Sequence, residues 1–511
     1  MPISTANNKR VAKNTLFLYS RMIIVMAITL YTTRALLTVL GVEDYGVYNV
    51  VCGFVSMFSF LNTSMANGTQ RFYNFEIGKN GESGISKIFS HAVIIQLAMA
   101  LVILFVVETI GLWYLYNKMV IPDDRFGAAM WIFQFSMIQL FLVMITVPYN
   151  AAVMAYEKMD FFALVSIIDA VLKLVIVLLL PYAPFDTLVY YGALMTLVSV
   201  LNYVLNLGYS KLKLKSLVFC TKWDKSLFIS MLSFSGWNIY GSISHMMQSQ
   251  GINLILNAFW GTIVNTANGV ATQVNSAVNS LTTSFVTAVR PQMIKSYASG
   301  NILYLKKMYY SVSKLTFFLV MILAVPLIGE IDVILDVWLG NGKYPEMTDI
   351  FCQLTIFMAL CNSYATPTSI IIHATGNMKK FQIIVSSVTL MIVPLAYIAA
   401  KMRCEASLII FLSALVTIAA QIARLVIIKE QVGFPIIDYC KKVFLPTWSV
   451  LLVTMIVAFV LRSTTPQLFM WSIVRMGVCV LFSSLCIYLM GINKSEKQLV
   501  MSFIKKSKHS I

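Results

Sequence analysis

Arg21, Arg34, Asp169, Lys173 and Arg475 stand inside long apolar runs, and Arg71, Glu108 and Arg290 stand near the ends of others. A charge at the centre of a bilayer costs about 3 kcal/mol or more, so such residues face a partner, a wet cavity or a ligand. Bases outnumber acids in this set. Arginine forks and lysine point charges both bind phosphate oxygens, so the chemistry on offer is recognition of an anion such as a pyrophosphate. Arg21 and Arg34 lie 13 residues apart, about 220° around a helix at about 100° per residue. An unbent helix cannot aim both at one phosphate. Arg21 sits nearer the N-terminal side of the membrane and is the better entry-side ligand, whereas Arg34 can equally snorkel at the far end. Arg71 and Arg290 close corresponding helices, where a cation either meets substrate or anchors at the interface. Asp169 and Lys173, spaced i, i+4, can pair. The pair is either a neutral structural unit or one that opens when a pyrophosphate reaches Lys173. Arg475 is too isolated to read.

A second group is neutral. Asn238, Gln248, Gln250, Asn253, Asn257, Asn265, Asn268, Gln273, Asn275 and Asn279 crowd one region. Unsatisfied amides are costly in lipid. They can hydrogen-bond sugar hydroxyls from the wall of a wet lumen, with Gln250, Asn253 and Asn275 as candidate contacts, or they can bond helix to helix. His91, His245 and His373 could titrate near neutral pH and, with Asp169 and Glu108, are the candidates for proton coupling. The eight cysteines are scattered without a CxxC pair, so no metal site is expected. No P-loop is present, and no cofactor is expected.

The elements that position these residues are membrane helices. The sequence is 59% hydrophobic and 12% charged, against about 25% charged in soluble domains. Its apolar runs reach the roughly 20 residues a helix needs to cross about 30 Å of hydrocarbon. Fourteen spans are predicted: 14–40, 47–76, 86–117, 126–150, 161–180, 186–210, 226–258, 262–290, 307–330, 349–374, 381–400, 406–429, 445–462 and 468–490. The basic start runs into a long apolar stretch with no small-residue cleavage site, so it reads as a retained first helix. Basic loops stay cytoplasmic. With cations near a span end counted with the adjoining loop, the N-terminal side of the membrane carries 28 of the 38 basic residues, the opposite side 6 and the spans 4. Net charge is then +20 on the first side and −6 on the other. The overall +17 is a topology signal rather than one for nucleic acid, and both termini are expected in the cytoplasm.

The chain also repeats itself. "PYNAAVMAYEKMDFF" from Pro148 and "PTSIIIHATGNMKKF" from Pro367 share Pro148/Pro367, Ala155/Ala374, Met159/Met378 and Phe162/Phe381, all offset by 219. "LGVEDYGVYNV" from Leu40 and "WGTIVNTANGV" from Trp260 align through Gly41/Gly261 and Val50/Val270, and "TIGLWYL" echoes "ILDVWLG" through Trp113 and Trp338. Six spans separate the copies. The expected fold is therefore an all-α polytopic membrane protein of about 14 helices, built as two six-helix lobes related by a parallel repeat plus two C-terminal helices. The lobes are 1–210 and 226–429, the added helices 445–490, and 491–511 a basic cytoplasmic tail.

These stretches, with "FLNTSMANGTQRFYNFEIGK", "NTANGVATQVNSAVNSL", "RPQMIKSYASGN" and "HATGNMKKFQ", resemble bacterial polysaccharide exporters of the Wzx type. That family sits beside the lipid II flippases and the multidrug-and-toxin extruders in one superfamily. The resemblance spans about residues 10–430. It implies a flippase of the bacterial inner membrane that carries an undecaprenyl-pyrophosphate-linked oligosaccharide, such as an O-antigen, lipopolysaccharide or capsule repeat unit. Alternating access between two lobes around a cation-lined cavity is implied with it. The implied partners are this lipid-linked oligosaccharide, membrane lipids and assembly proteins of the same pathway such as a glycan polymerase; nucleic acid is not among them. A cation-coupled drug antiporter is the alternative, and it would favour acids over bases in the cavity. A membrane polymerase or glycosyltransferase needs a large outer domain. The longest outer loop expected here, around Gly340, has about 18 residues, so a transporter rather than an enzyme is expected.

Overall fold

The structure, a computed structural model, describes residues 5–56, 58–117, 121–340, 344–345, 347–466, 469–493 and 496–497. Some side chains within helices are outside the described set, among them those of Arg34, Gly41, Asn257 and Asn265, as is most of the basic tail 491–511. Every regular element among the described residues is helical. One compact unit spans Ala12–Ser242, and the other Ile243–Ile511 together with Met1–Val11.

In the first unit, α1 runs Thr5–Ser56 and α2 Ser59–Asn80. Helical hydrogen bonding passes through the turn expected at 41–46, where no proline interrupts it. The next helices are α3 (Ile85–Asn117), α4 (Asp123–Ala155), α5 (Met159–Tyr182) and α6 (Thr187–Lys213). α4 packs against α2, α3, α5 and α6, and Phe133, Met137 and Met144 on it are buried in the unit's apolar core with Val51, Val177 and Tyr191. A three-way ion cluster ties one end. Arg125 donates to Asp44 on α1 (Nε–Oδ1 and Nη2–Oδ2, both 2.6 Å) and to Asp186 Oδ2 (2.6 Å). Asp186 Oδ1 also caps α6 by accepting from the Leu188 and Val189 amides at 3.0 Å each.

The second unit begins within α7 (Lys225–Ala298), a helix that bends at Gly261, where φ is 79°. With ψ at −171° this is a backbone conformation that glycine adopts freely and residues with a side chain essentially do not. There follow α8 (Ile302–Gly329), the short α9 (Ile331–Leu339), α10 (Thr348–Thr375), α11 (Met378–Lys401), α12 (Ala406–Val432), α13 (Ile436–Thr464) and α14 (Phe469–Gly491). The stretch expected as the longest outer loop is thus partly helical. Among the described residues ten helices, α3–α6, α8 and α10–α14, are long and apolar enough to cross a membrane. They coincide with the third to sixth and ninth to fourteenth predicted spans; the other four fall in α1, α2 and α7. Four spans contain a π-helical segment: Val107–Gly111 in α3, Gln382–Ser386 in α11, Cys440–Phe444 in α13 and Ile487–Gly491 in α14.

α13 and α14 both pack on α8, and ion pairs fasten them. At one end of α8, Glu330 takes Arg475 of α14 in a bidentate pair (2.6 and 2.7 Å), while Asp332 takes Arg462 of α13 (2.6 Å). Towards the other end Lys314 donates to Glu496 at 2.6 Å.

The two echoed stretches have the same backbone form, each within its own unit. α4 ends at Ala155 and α5 starts at Met159; α10 ends at Thr375 and α11 starts at Met378. The turn between them carries one left-handed residue in each copy, Glu157 at φ 59° and Gly376 at φ 81°, again 219 positions apart. Pro148 and Pro367 lie buried inside the helices that lead into these turns.

Candidate substrate-binding residues

In the first unit, α1 and α5 bring Arg21 against the ring of Phe162, with the guanidinium carbon 5.0 Å from its centroid. Stacking on an aromatic face leaves the guanidinium edge available for oxygens. The Arg21 Nε is shielded from solvent and has no hydrogen-bond partner among the described residues. Arg71 on α2 is buried over three rings, those of Phe72, Phe75 and Phe234, at 4.8, 4.9 and 5.5 Å. Asp169 and Lys173 pair as their spacing requires, with 2.7 Å between Nζ and Oδ2, and Asn202 on α6 donates to Asp169 Oδ1 at 2.7 Å. The pair is partly open, at 26% exposure for Asp169 and 40% for Lys173. It is not a sealed charge pair. His91 has a packing role: Nε2 accepts the Asp224 amide at 3.1 Å, which makes Nδ1 the donor to the Lys87 carbonyl at 2.7 Å, and the ring lies 5.0 Å from Trp223.

In the second unit, Arg290 Nη2 lies 3.3 Å from His373 Nδ1 on α10. The amides flank the Gly261 bend. Asn268 donates to Asn253 Oδ1 at 2.6 Å, and Asn253 in turn reaches Gln250 Oε1 at 3.4 Å. Asn279 donates to Asn275 Oδ1 at 2.6 Å along one helix face. Gln250 remains exposed and Asn253 and Asn275 half-buried, so these amides bond to one another and keep free capacity for hydroxyls.

Two cations inside predicted spans were missed in the sequence, Lys314, which pairs with Glu496, and Arg424. Arg424 on α12 has its Nε and Nη1 buried without a partner among the described residues, and it lies within electrostatic reach of His245. Its signal was present, a lone arginine in "TIAAQIARLVII", but its position a few residues before the end of the apolar run merged it with the interface cations. Arg475, by contrast, is fully engaged. Its five donors meet Glu330 twice, Thr465, the Pro466 carbonyl and Ser472 at 2.6–3.0 Å. Among the described residues no cluster of three His, Cys, Asp or Glu could hold a metal ion.

The fold is shared with solved transporters of the MOP superfamily. A multidrug resistance MATE family transporter of that superfamily in an outward-facing conformation matches with a TM-score of 0.72 at 13% identity, over 85% of this chain and 99% of that one. A MATE structure in a bent conformation matches at 0.73 and 14%, over 84% and 98%. A MOP superfamily transporter from Pyrococcus furiosus, described as having a binding pocket of reverse polarity that suggests a different function, matches at 0.70 and 14%, over 84% and 96%. At such identities the likeness is one of fold. No protein-family model matches the chain. No curated protein matches it either.

Proposed function

We propose that this chain is a secondary transporter that flips an undecaprenyl-pyrophosphate-linked oligosaccharide across the bacterial cytoplasmic membrane, with both termini in the cytoplasm. The observation that carries the reading is Arg424, whose two buried guanidinium nitrogens have no partner among the described residues. A desolvated cation without a counter-charge is strongly unfavourable, and a pyrophosphate would supply that charge together with the acceptor oxygens that guanidinium groups match. Arg21 supports it in the same way, through its shielded Nε. Asp169, the acid in the middle of α5, is already neutralised by Lys173. The amides around Gly261 suit the glycan, and the site of Arg290 and His373 adds further donors.

A cation-coupled multidrug antiporter is the second reading, favoured by the fold likeness to MATE transporters. One experiment separates the two. The chromosomal gene is deleted, and lipid extracts and sensitivity to cationic dyes are measured in the same strain, with complementation by wild type and by Arg424→Gln. The flippase reading expects lipid-linked glycan to accumulate, dye sensitivity to stay unchanged, and the variant to fail at normal abundance. Dye hypersensitivity without glycan accumulation would install the antiporter reading instead.

A further inference from the structure

Glu108 takes no part in the sites above. It lies within the π-helical segment Val107–Gly111 of α3 and accepts a hydrogen bond from Gln134 Nε2 on α4 at 2.8 Å. Among the described residues no lysine, arginine or histidine pairs with it. The two side chains sit in a crevice of about 510 Å³ whose remaining walls are Leu101, Leu104, Phe105, Met137, Ile138 and Phe141. That volume falls within the roughly 300–1,000 Å³ of small-molecule sites. A π segment inside a membrane helix is a common mark of a functional position.

The crevice wall is almost wholly apolar, with Glu108 and Gln134 towards one end, and the helices set its direction. Trp113, Tyr114 and Tyr116 on α3 and Trp131 on α4 are exposed and lie just beyond Glu108 and Gln134 towards the α3–α4 turn. Exposed aromatics of this kind mark a membrane interface. Leu101 and Phe141 lie seven residues the other way from Glu108 and Gln134, about 10 Å deeper at about 1.5 Å per residue. A polar group about a turn and a half inside an aromatic belt, with a greasy slot running on towards the midplane, matches the polarity gradient along one lipid in that leaflet.

We infer that the α3–α4 crevice holds one membrane lipid, with its headgroup ammonium on the Glu108 carboxylate and an acyl chain along Leu104, Phe105 and Ile138. The carboxylate decides the head: it attracts an ammonium and repels an anionic headgroup. A primary ammonium also donates hydrogen bonds, which the free acceptor capacity of Glu108 can take. The crevice shares no residue with the groups proposed above to meet pyrophosphate.

The full chain is assembled into nanodiscs with equal phosphatidylethanolamine and phosphatidylglycerol, re-extracted in mild detergent, and its retained lipid counted by mass spectrometry. Wild type is expected to retain phosphatidylethanolamine at least about fivefold over phosphatidylglycerol, a difference of about 1 kcal/mol at RT of about 0.59 kcal/mol. Glu108→Gln should bring the ratio to about one. Leu104→Trp, which fills the slot and leaves the carboxylate, should lower retention of both lipids. Thermal melting of each variant controls for folding. Equal retention of the two lipids by wild type, or an unchanged ratio in a folded Glu108→Gln, overturns the proposal. Should Glu108→Gln not fold, Leu104→Trp decides: unchanged phosphatidylethanolamine retention with the slot filled overturns it.

Discussion

Replacing Arg475 by methionine removes every bond that ties α14 to Glu330. Both side chains are nearly sealed, at 4% and 5% exposure. The methionine would fill much of the arginine stem's volume but leave the Glu330 carboxylate buried without a cation. Breaking a buried pair from one side costs about 3–5 kcal/mol. Glu330→Leu does the same from the other side, stranding a guanidinium that keeps only Thr465, Pro466 and Ser472. The double variant strands neither charge, and buried pairs replaced by apolar residues of similar volume are often neutral or better. The expected coupling between the two changes is therefore about 3 kcal/mol or more, with the double variant within about 1 kcal/mol of wild type. The assay is SDS-titrated unfolding in mixed micelles for all four proteins, read by tryptophan fluorescence, with Trp471 one turn from the mutated site as a local reporter. Single changes that simply add, with coupling under about 0.5 kcal/mol, would show that the pair does not hold the added helices.

The Asp169–Lys173 pair is partly exposed, so Asp169→Asn with Lys173→Gln should cost only about 1 kcal/mol; if Lys173 is a pyrophosphate ligand, export nevertheless fails at normal membrane abundance, and export at the wild-type rate removes it from the site. Partial burial pushes the Asp186 carboxyl up, but Arg125 and the Val189 and Leu188 amides outweigh that and hold it below the ordinary carboxylate range. A depressed native value means that its stabilisation is complete above the unfolded pKa of about 3.9 and is lost as pH falls through the native one, so Asp186→Asn should flatten the acid limb of a melting-temperature profile taken from pH 7 to 3. Gly376→Ala should lose about 1–2 kcal/mol from its left-handed turn, and equal melting curves would refute the strain. Cys404 should react with an impermeant thiol reagent from outside the cell and Cys220 only from the cytoplasm; the reverse pattern would invert the proposed topology.

What the sequence made legible follows from the range of each signal. Ten spans stood out because hydropathy is a local sum. Asp169 found Lys173 because both lie on one helix face, and the echoed turns came out alike because their residues are contiguous. The break expected between spans 14–40 and 47–76 was misjudged: no proline stands there, and helical hydrogen bonding runs through it. Arg475 seemed isolated since Glu330 lies 145 residues away. Arg424 was hidden for a different reason, because position along a run does not reveal which way a side chain points. The amides around Gly261 were read as contacting sugar hydroxyls or bonding helix to helix, and in the structure Asn268, Asn253 and Gln250 bond to one another.

The π segments in α3, α11, α13 and α14 have a mechanical consequence. Each holds one residue more than the α-helical turn it replaces. Letting that residue go would advance the rest of the span by about 1.5 Å and turn it through about 100°. A bulge that steps along its helix changes the face of only the turns it passes, leaving both ends in place. Side chains such as Gln382, at the head of the α11 segment, can thus be re-aimed while the helix ends stay docked. Spans built this way need no hinge of broken backbone in lipid, where an unpaired amide would have no water to bond.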